Sequence, residues 1–275
     1  MEPVFFGPED HSLFGWLHLP AGRAPRRTAV VLCHPFGQEF MLAHRAFHGF
    51  ARLLAEAGFA TLRFDWWGTG DSHGDLEEAR LETWTRDVAL AMRTVRERVK
   101  CDDVALAGMR LGATLAALAG ADAPLAALLL WDPVVDGATF LRELQVAHWR
   151  ETRSDAPPAT FDAPLTEASG FPVGDRLRDD LRALDLGATP LDRDVPVLWA
   201  DTQRSSEGDT VGDADGDAVS AAGPRDALLR TWRERGVSVE VQSLPAPAVW
   251  EEDEQRVLVP RLALEGAVRW MEAAC

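Results

Sequence analysis

The sequence is short of several residue types that would each announce a chemistry. It has three cysteines in 275 residues, spread over Cys33, Cys101 and Cys275, an odd number that gives neither a disulfide framework nor metal-ligand spacing. Lys100 is the only lysine, and it sits in the charged stretch 96–103, so Schiff-base chemistry has one candidate and that candidate reads as solvated surface. No stretch approaches the ~20 apolar residues that span a bilayer. The start, Met1-Glu2-Pro3-Val4, lacks the basic opening and apolar run of a signal peptide, so the expected location is the cytoplasm. Positive charge is scarce too. Against 44 acidic residues stand 28 basic ones, and the net charge of −16 repels phosphate, which argues against nucleic acid or an anionic membrane as a partner. Histidine stops at His148.

What is present is enough apolar material, 47% of the chain, for one large core or two small ones. Short apolar runs at 3–6, 13–19, 28–33, 60–64, 104–107, 125–131, 195–200 and 237–244 read as strands, and segments of helical period at 42–57, 80–99, 113–119, 225–235 and 258–273 alternate with most of them. That rhythm is the α/β class, with helices on both faces of a mostly parallel sheet. Only six residues separate the first two strands, so the sheet should begin with an antiparallel hairpin. Two segments break the rhythm. The stretch after Trp131, with helical pieces at 139–149 and 174–186, is longer than a crossover needs and reads as a cap over residues 137–194, dividing a core of 1–136 and 195–275. The stretch 201–224 is an acidic, glycine-rich loop. Its Asp213-Ala214-Asp215-Gly216-Asp217 has part of the acid spacing of a calcium loop, but glycine is misplaced and Pro224 stands where the closing glutamate belongs.

The chemistry should lie at Gly108-Met109-Arg110-Leu111-Gly112-Ala113, a strand end, a glycine-bracketed turn and a small-residue helix start. That is the layout of a nucleophile elbow. With Cys33-His34-Pro35-Phe36-Gly37 after the third strand and Asp65-Trp66-Trp67-Gly68-Thr69-Gly70-Asp71-Ser72 after the fourth, the chain resembles the α/β-hydrolase superfamily over nearly its whole length. The departures matter as much. The central elbow residue is Arg110, which cannot serve as an oxygen or sulfur nucleophile, and the stretch after the last strand, Pro245 to Glu252, holds no histidine. Asp201 alone matches the triad acid. In these departures, and in Leu130-Trp131-Asp132-Pro133-Val134-Val135-Asp136-Gly137 and Trp250, the chain is similar to the triad-less proteins called exosortase-A-system-associated hydrolase 2, whose setting implies acyl or extracellular-polymer metabolism. His34 and Asp132 depart from that family's pattern.

Arg110 therefore carries the expectation. Set beside the backbone N–H groups of Leu111 and of Phe36 or Gly37, it either clamps a substrate carboxylate, phosphate or polarised carbonyl, or forms an internal ion pair with Glu39 or Asp132 that plugs the site. Glu39 and His34 are the candidate bases, weighed against a pairing role for the first and a backbone-bonded role for the second. Trp66, Trp131 and Trp250 are candidates to line an apolar pocket, weighed against plain packing. His44 and His48, at i and i+4, read as a solvated or packing face because no third metal ligand accompanies them. No metal and no cofactor is implied. Three readings remain open: a noncanonical biosynthetic enzyme for proton transfer, cyclisation or isomerisation of an acyl-, aryl- or peptide-like molecule; a non-catalytic pseudo-hydrolase that binds an acyl or carboxylate ligand or a partner protein; and a weak hydrolase using water activated by Glu39 or His34. The expected partner is a small-molecule or carrier-linked substrate, with a homodimer open.

Overall fold

The computed structural model describes residues 1–121, 123–153, 160–161, 163–191, 194–202, 223–246, 248–250 and 259–275. The run 213–217, most of the acidic loop and the acidic stretch after Trp250 lie outside the described residues. Eight strands form one sheet: β1 (Glu2–Phe6), β2 (Leu13–His18), β3 (Thr28–Cys33), β4 (Ala60–Phe64), β5 (Asp103–Met109), β6 (Leu128–Trp131), β9 (Val197–Thr202) and β10 (Val239–Leu244), in the order β1-β2-β4-β3-β5-β6-β9-β10. The first two pair as an antiparallel hairpin, β2 meets β4 antiparallel, and every later pairing is parallel. The parallel neighbours follow from the helical crossovers α1 (Gly37–Glu56), α2 (Leu81–Val99), α3 (Leu111–Ala121), α6 (Pro224–Glu234) and α7 (Arg261–Ala274).

Alternation along the strands divides the core in two. Val31, Leu62, Leu106, Leu130 and Trp199 face α2, α3 and α6 through Trp84, Leu115 and Trp232. Val30, Leu32, Ala107, Leu129 and Leu198 face α1 and α7 through Phe47, Leu54, Leu264 and Met271. β3 lies between β4 and β5, so the chain leaves it on one side and returns on the other, and the crevice beyond the strands' carboxyl ends opens between the loops that follow β3 and β5.

Between β6 and β9 come α4 (Gly137–Thr152), a two-stranded hairpin of β7 (Glu167–Ala168) and β8 (Phe171–Pro172), and α5 (Asp175–Ala183). The apolar stripe of α5 is buried: Leu177 and Leu181 are inaccessible to solvent and join the core on the α2 side of the sheet. Asp180 fixes the other edge of that helix, accepting from the backbone N–H of Leu81 at 3.1 Å and from the Arg80 guanidinium at 2.9 and 3.2 Å.

Candidate functional site

The turn from β5 into α3 is shaped by two glycines. A Cβ at Gly108 would stand 2.5 Å from the backbone of Ala113, and one at Gly112 would stand 2.3 Å from the carbonyl oxygens of Cys33 and His34. Only glycine lets the strand, the helix start and the loop after β3 approach so closely. Arg110, between them, has a φ of 53°, a left-handed conformation that lifts its side chain into the crevice. Its N–H donates to the Trp131 carbonyl at 2.9 Å, and its own carbonyl accepts from the N–H groups of Ala113 and Thr114 at the end of the first turn of α3.

The guanidinium is held by two carboxylates and two aromatic rings. Its Nε donates to Oε1 of Glu39 at 2.9 Å, and Nη2 makes a short contact with Glu143 of α4. Phe140 and Trp250 each place a ring centroid 5.6 Å from its central carbon. Burial disfavours the charged form, but the two carboxylates outweigh it and push the pKa above its ordinary value. The carboxylates differ in access. The side chains of Arg110 and Glu39 are 11% and 13% exposed, whereas that of Glu143 is 47% exposed. Glu39 lies in the first turn of α1, which starts at Gly37 rather than near residue 42 as expected, so this acid is on a helix and not in the loop with His34. A carboxylate in a helix's first turn is favoured by the amide dipoles, which extends the helix toward its start.

Around this centre, Phe36 precedes α1 and packs on Trp84 and Phe171, while Gly37 lies against the Phe171 ring; a Cβ there would be 3.4 Å away. Leu111 is buried at the head of α3. The first amides of α1 and α3 have no partner within their own helices. Trp66 and Trp131 stand apart from it. Both are buried, the Trp66 indole donating to the His34 carbonyl at 3.3 Å and that of Trp131 to the Thr202 hydroxyl at 2.9 Å. His34 is also buried, stacked on Phe40 with centroids 3.8 Å apart, its Nδ1 2.6 Å from the Pro35 carbonyl oxygen. Burial pulls its pKa down to about 3, with the Pro35 carbonyl opposing. Asp132 turns from Arg110 toward Thr202, accepting from its N–H at 2.9 Å and its hydroxyl at 2.5 Å. Asp201 holds Arg225 and the Trp199 indole. Of the expected partners of Arg110, then, Glu39 is the one that pairs with it.

Sequence reasoning did not reach Glu143, Phe140 or Phe171. Phe140 and Glu143 are three apart on α4 and so share a face, a spacing visible in the sequence once a helix is placed there. Among the described residues no group of three or more His, Cys, Asp or Glu could hold a metal ion, and no helix is long and apolar enough to cross a membrane.

A sequence profile described as serine aminopeptidase, S33, matches residues 24–155, from before β3 into the segment after α4. No curated protein matches the chain in sequence. Among solved structures, Est1E from Butyrivibrio proteoclasticus with bound ferulic acid aligns over 98% of this chain and 98% of its own, with a TM-score of 0.66 and 18% identity. The esterase domain of a Rhodothermus marinus protein aligns over 99% and 98%, at 0.62 and 18%. XC6422 from Xanthomonas campestris, described as a serine hydrolase without a lid, aligns over 98% and 94%, at 0.58 and 16%. At such identities the likeness is one of architecture, and together with the strand order and the glycine-bracketed turn after β5 it shows that the chain has the α/β-hydrolase fold.

Proposed function

We propose that this is a triad-less protein of the fold, of the kind its motifs resemble, in which the elbow binds a carboxylate instead of attacking a carbonyl. The ligand class is an acyl-, aryl- or peptide-like small molecule, free or carrier-linked, bearing one acidic group. One observation carries the reading: the position of a nucleophile is held by a guanidinium clamped between Glu39 and Glu143. With both carboxylates in place the centre has a net charge of −1, so a third carboxylate enters only by displacing one of them. Glu143 is the one that leaves, because it is half-exposed and regains water at little cost, whereas Glu39 would have to be drawn out of the core. Hydrolysis by activated water is the weaker reading, since Glu39 is held by Arg110 and His34 by burial and the Pro35 carbonyl.

A second reading, that the bound molecule also reacts, is favoured by the backbone. A left-handed arginine costs about 1 kcal/mol, and a plug made only for stability would not need that strain. An arginine aimed into the crevice can stabilise negative charge developing during proton transfer, cyclisation or isomerisation. Calorimetric titration of 3-phenylpropanoate and its amide tests the common element of both readings. The acid should bind and the amide should not, Arg110→Met should abolish binding, and Glu143→Gln should tighten it about fivefold, the worth of an exposed ion pair. Stoichiometric fluorophosphonate labelling within residues 108–112, or equal binding of acid and amide with no effect of Glu143→Gln, overturns the proposal.

A further inference from the structure

A second arginine is left with little. Arg63 on β4 lies opposite Trp16 on β2, so the two side chains share the outer face of that antiparallel pair with His18, two residues from Trp16. The Arg63 Nε donates to Nε2 of His18 at 3.1 Å, and the His18 ring meets that of His48 on α1 with centroids 5.8 Å apart. His48 and His44 stand one turn apart on the exposed side of α1. No carboxylate of the described residues lies within ion-pairing distance of the Arg63 nitrogens. The acid that acts on it, Asp65, spends its Oδ2 on the N–H of Asp71 at 3.1 Å. The Arg63 guanidinium is thus half-buried and without a carboxylate partner on a chain with 16 excess negative charges, and its remaining N–H groups are open to a ligand. Beside it the sheet is uncovered and aromatic: Phe14 contacts Trp16 at 5.8 Å, and Phe5, in contact with Phe14 at 5.0 Å, is 61% exposed.

We propose that this face is a second ligand site, taking an oxyanion, phosphate or carboxylate, attached to an aromatic or apolar group. The free N–H groups of Arg63 receive the oxygens, as a guanidinium fork does best; His44 and His48 stand at the rim, and Trp16 with Phe14 covers the apolar part. The site is separate from the elbow and independent of what the elbow binds. Titration of the full chain at pH 7 with inorganic phosphate, phenyl phosphate and benzoate tests it. Phenyl phosphate should bind more tightly than inorganic phosphate by about fivefold through stacking. Arg63→Gln should weaken every ligand at least about tenfold, the worth of charged hydrogen bonds. Trp16→Ala should remove only the aromatic advantage, and Arg45→Gln, on the same helix, should change nothing. Whether benzoate or phenyl phosphate binds more tightly names the oxyanion. Equal phosphate affinity in wild type and Arg63→Gln overturns the proposal, as does an absence of binding by all three ligands. Should Arg63→Gln fail to fold, unchanged aromatic preference in Trp16→Ala overturns it equally.

Discussion

Arg110 is buried and Arg63 half-buried, both beside α1, and they are satisfied in opposite ways. Arg110 has a carboxylate from α1, another from the inserted α4 and two aromatic rings beside it. Arg63 has one imidazole nitrogen. In the first case the guanidinium is a joint between elements that are far apart in sequence. In the second it is charge held ready, with burial lowering its pKa and the carboxylate of Asp65 opposing. The difference lies in what an incoming anion would meet: at Arg110 a protein carboxylate that has to be displaced, at Arg63 only an imidazole.

Removing each arginine breaks the comparison most directly. Arg110→Met strands Glu39 in a buried position and should cost about 3 kcal/mol of unfolding free energy, most of it recovered in the double variant with Glu39→Gln. Arg63→Met strands no carboxylate, so it should cost under about 1 kcal/mol or stabilise the fold. Equal losses in thermal melts would erase the distinction.

Acidification gives the next largest effect. The folded state holds His18 near pKa 4 and His34 near 3, both lowered first by burial, against 6.5 when unfolded. Below pH 6.5 the unfolded chain therefore binds more protons. Their contribution is whole above that pH and falls by about 1.4 kcal/mol per unit for each histidine as the pH drops toward 4. Asp65, Asp87 and Asp132, raised by burial, act in the opposite direction. Comparing His18→Gln with wild type from pH 7 to pH 4.5 isolates the histidine, and an identical slope in the two proteins would refute the assignment. The smallest effect belongs to Glu143→Gln. Its half-exposed pair is worth under about 1 kcal/mol, so the melting temperature should barely move while carboxylate affinity rises.

Much of this was legible beforehand because it is written locally. The eight sheet strands announce themselves by apolar runs, and the turn after β5 by Gly108 and Gly112, whose absent side chains are a steric requirement. The Arg110–Glu39 pair followed from a charge argument at one turn. Glu143 did not, because it arrives from a helix whose docking is decided by tertiary packing. The pairing of β7 with β8 is two residues long on each strand, below the length at which alternation can be read. Trp66 and Trp131 sit at strand ends exactly as pocket-lining aromatics would, and only their hydrogen bonds to His34 and Thr202 separate core from crevice.

Asp180 ties the inserted segment to the core. The first amide of α2 is satisfied by a side chain 99 residues further along the chain, on a helix of the insertion. The insertion therefore completes a core helix, and a chimera that exchanged residues 137–194 for another protein's segment would leave that helix start open to water. Such an exchange should succeed only when the incoming segment brings an acceptor to Leu81, or when residue 80 is changed to a side chain that caps the helix itself.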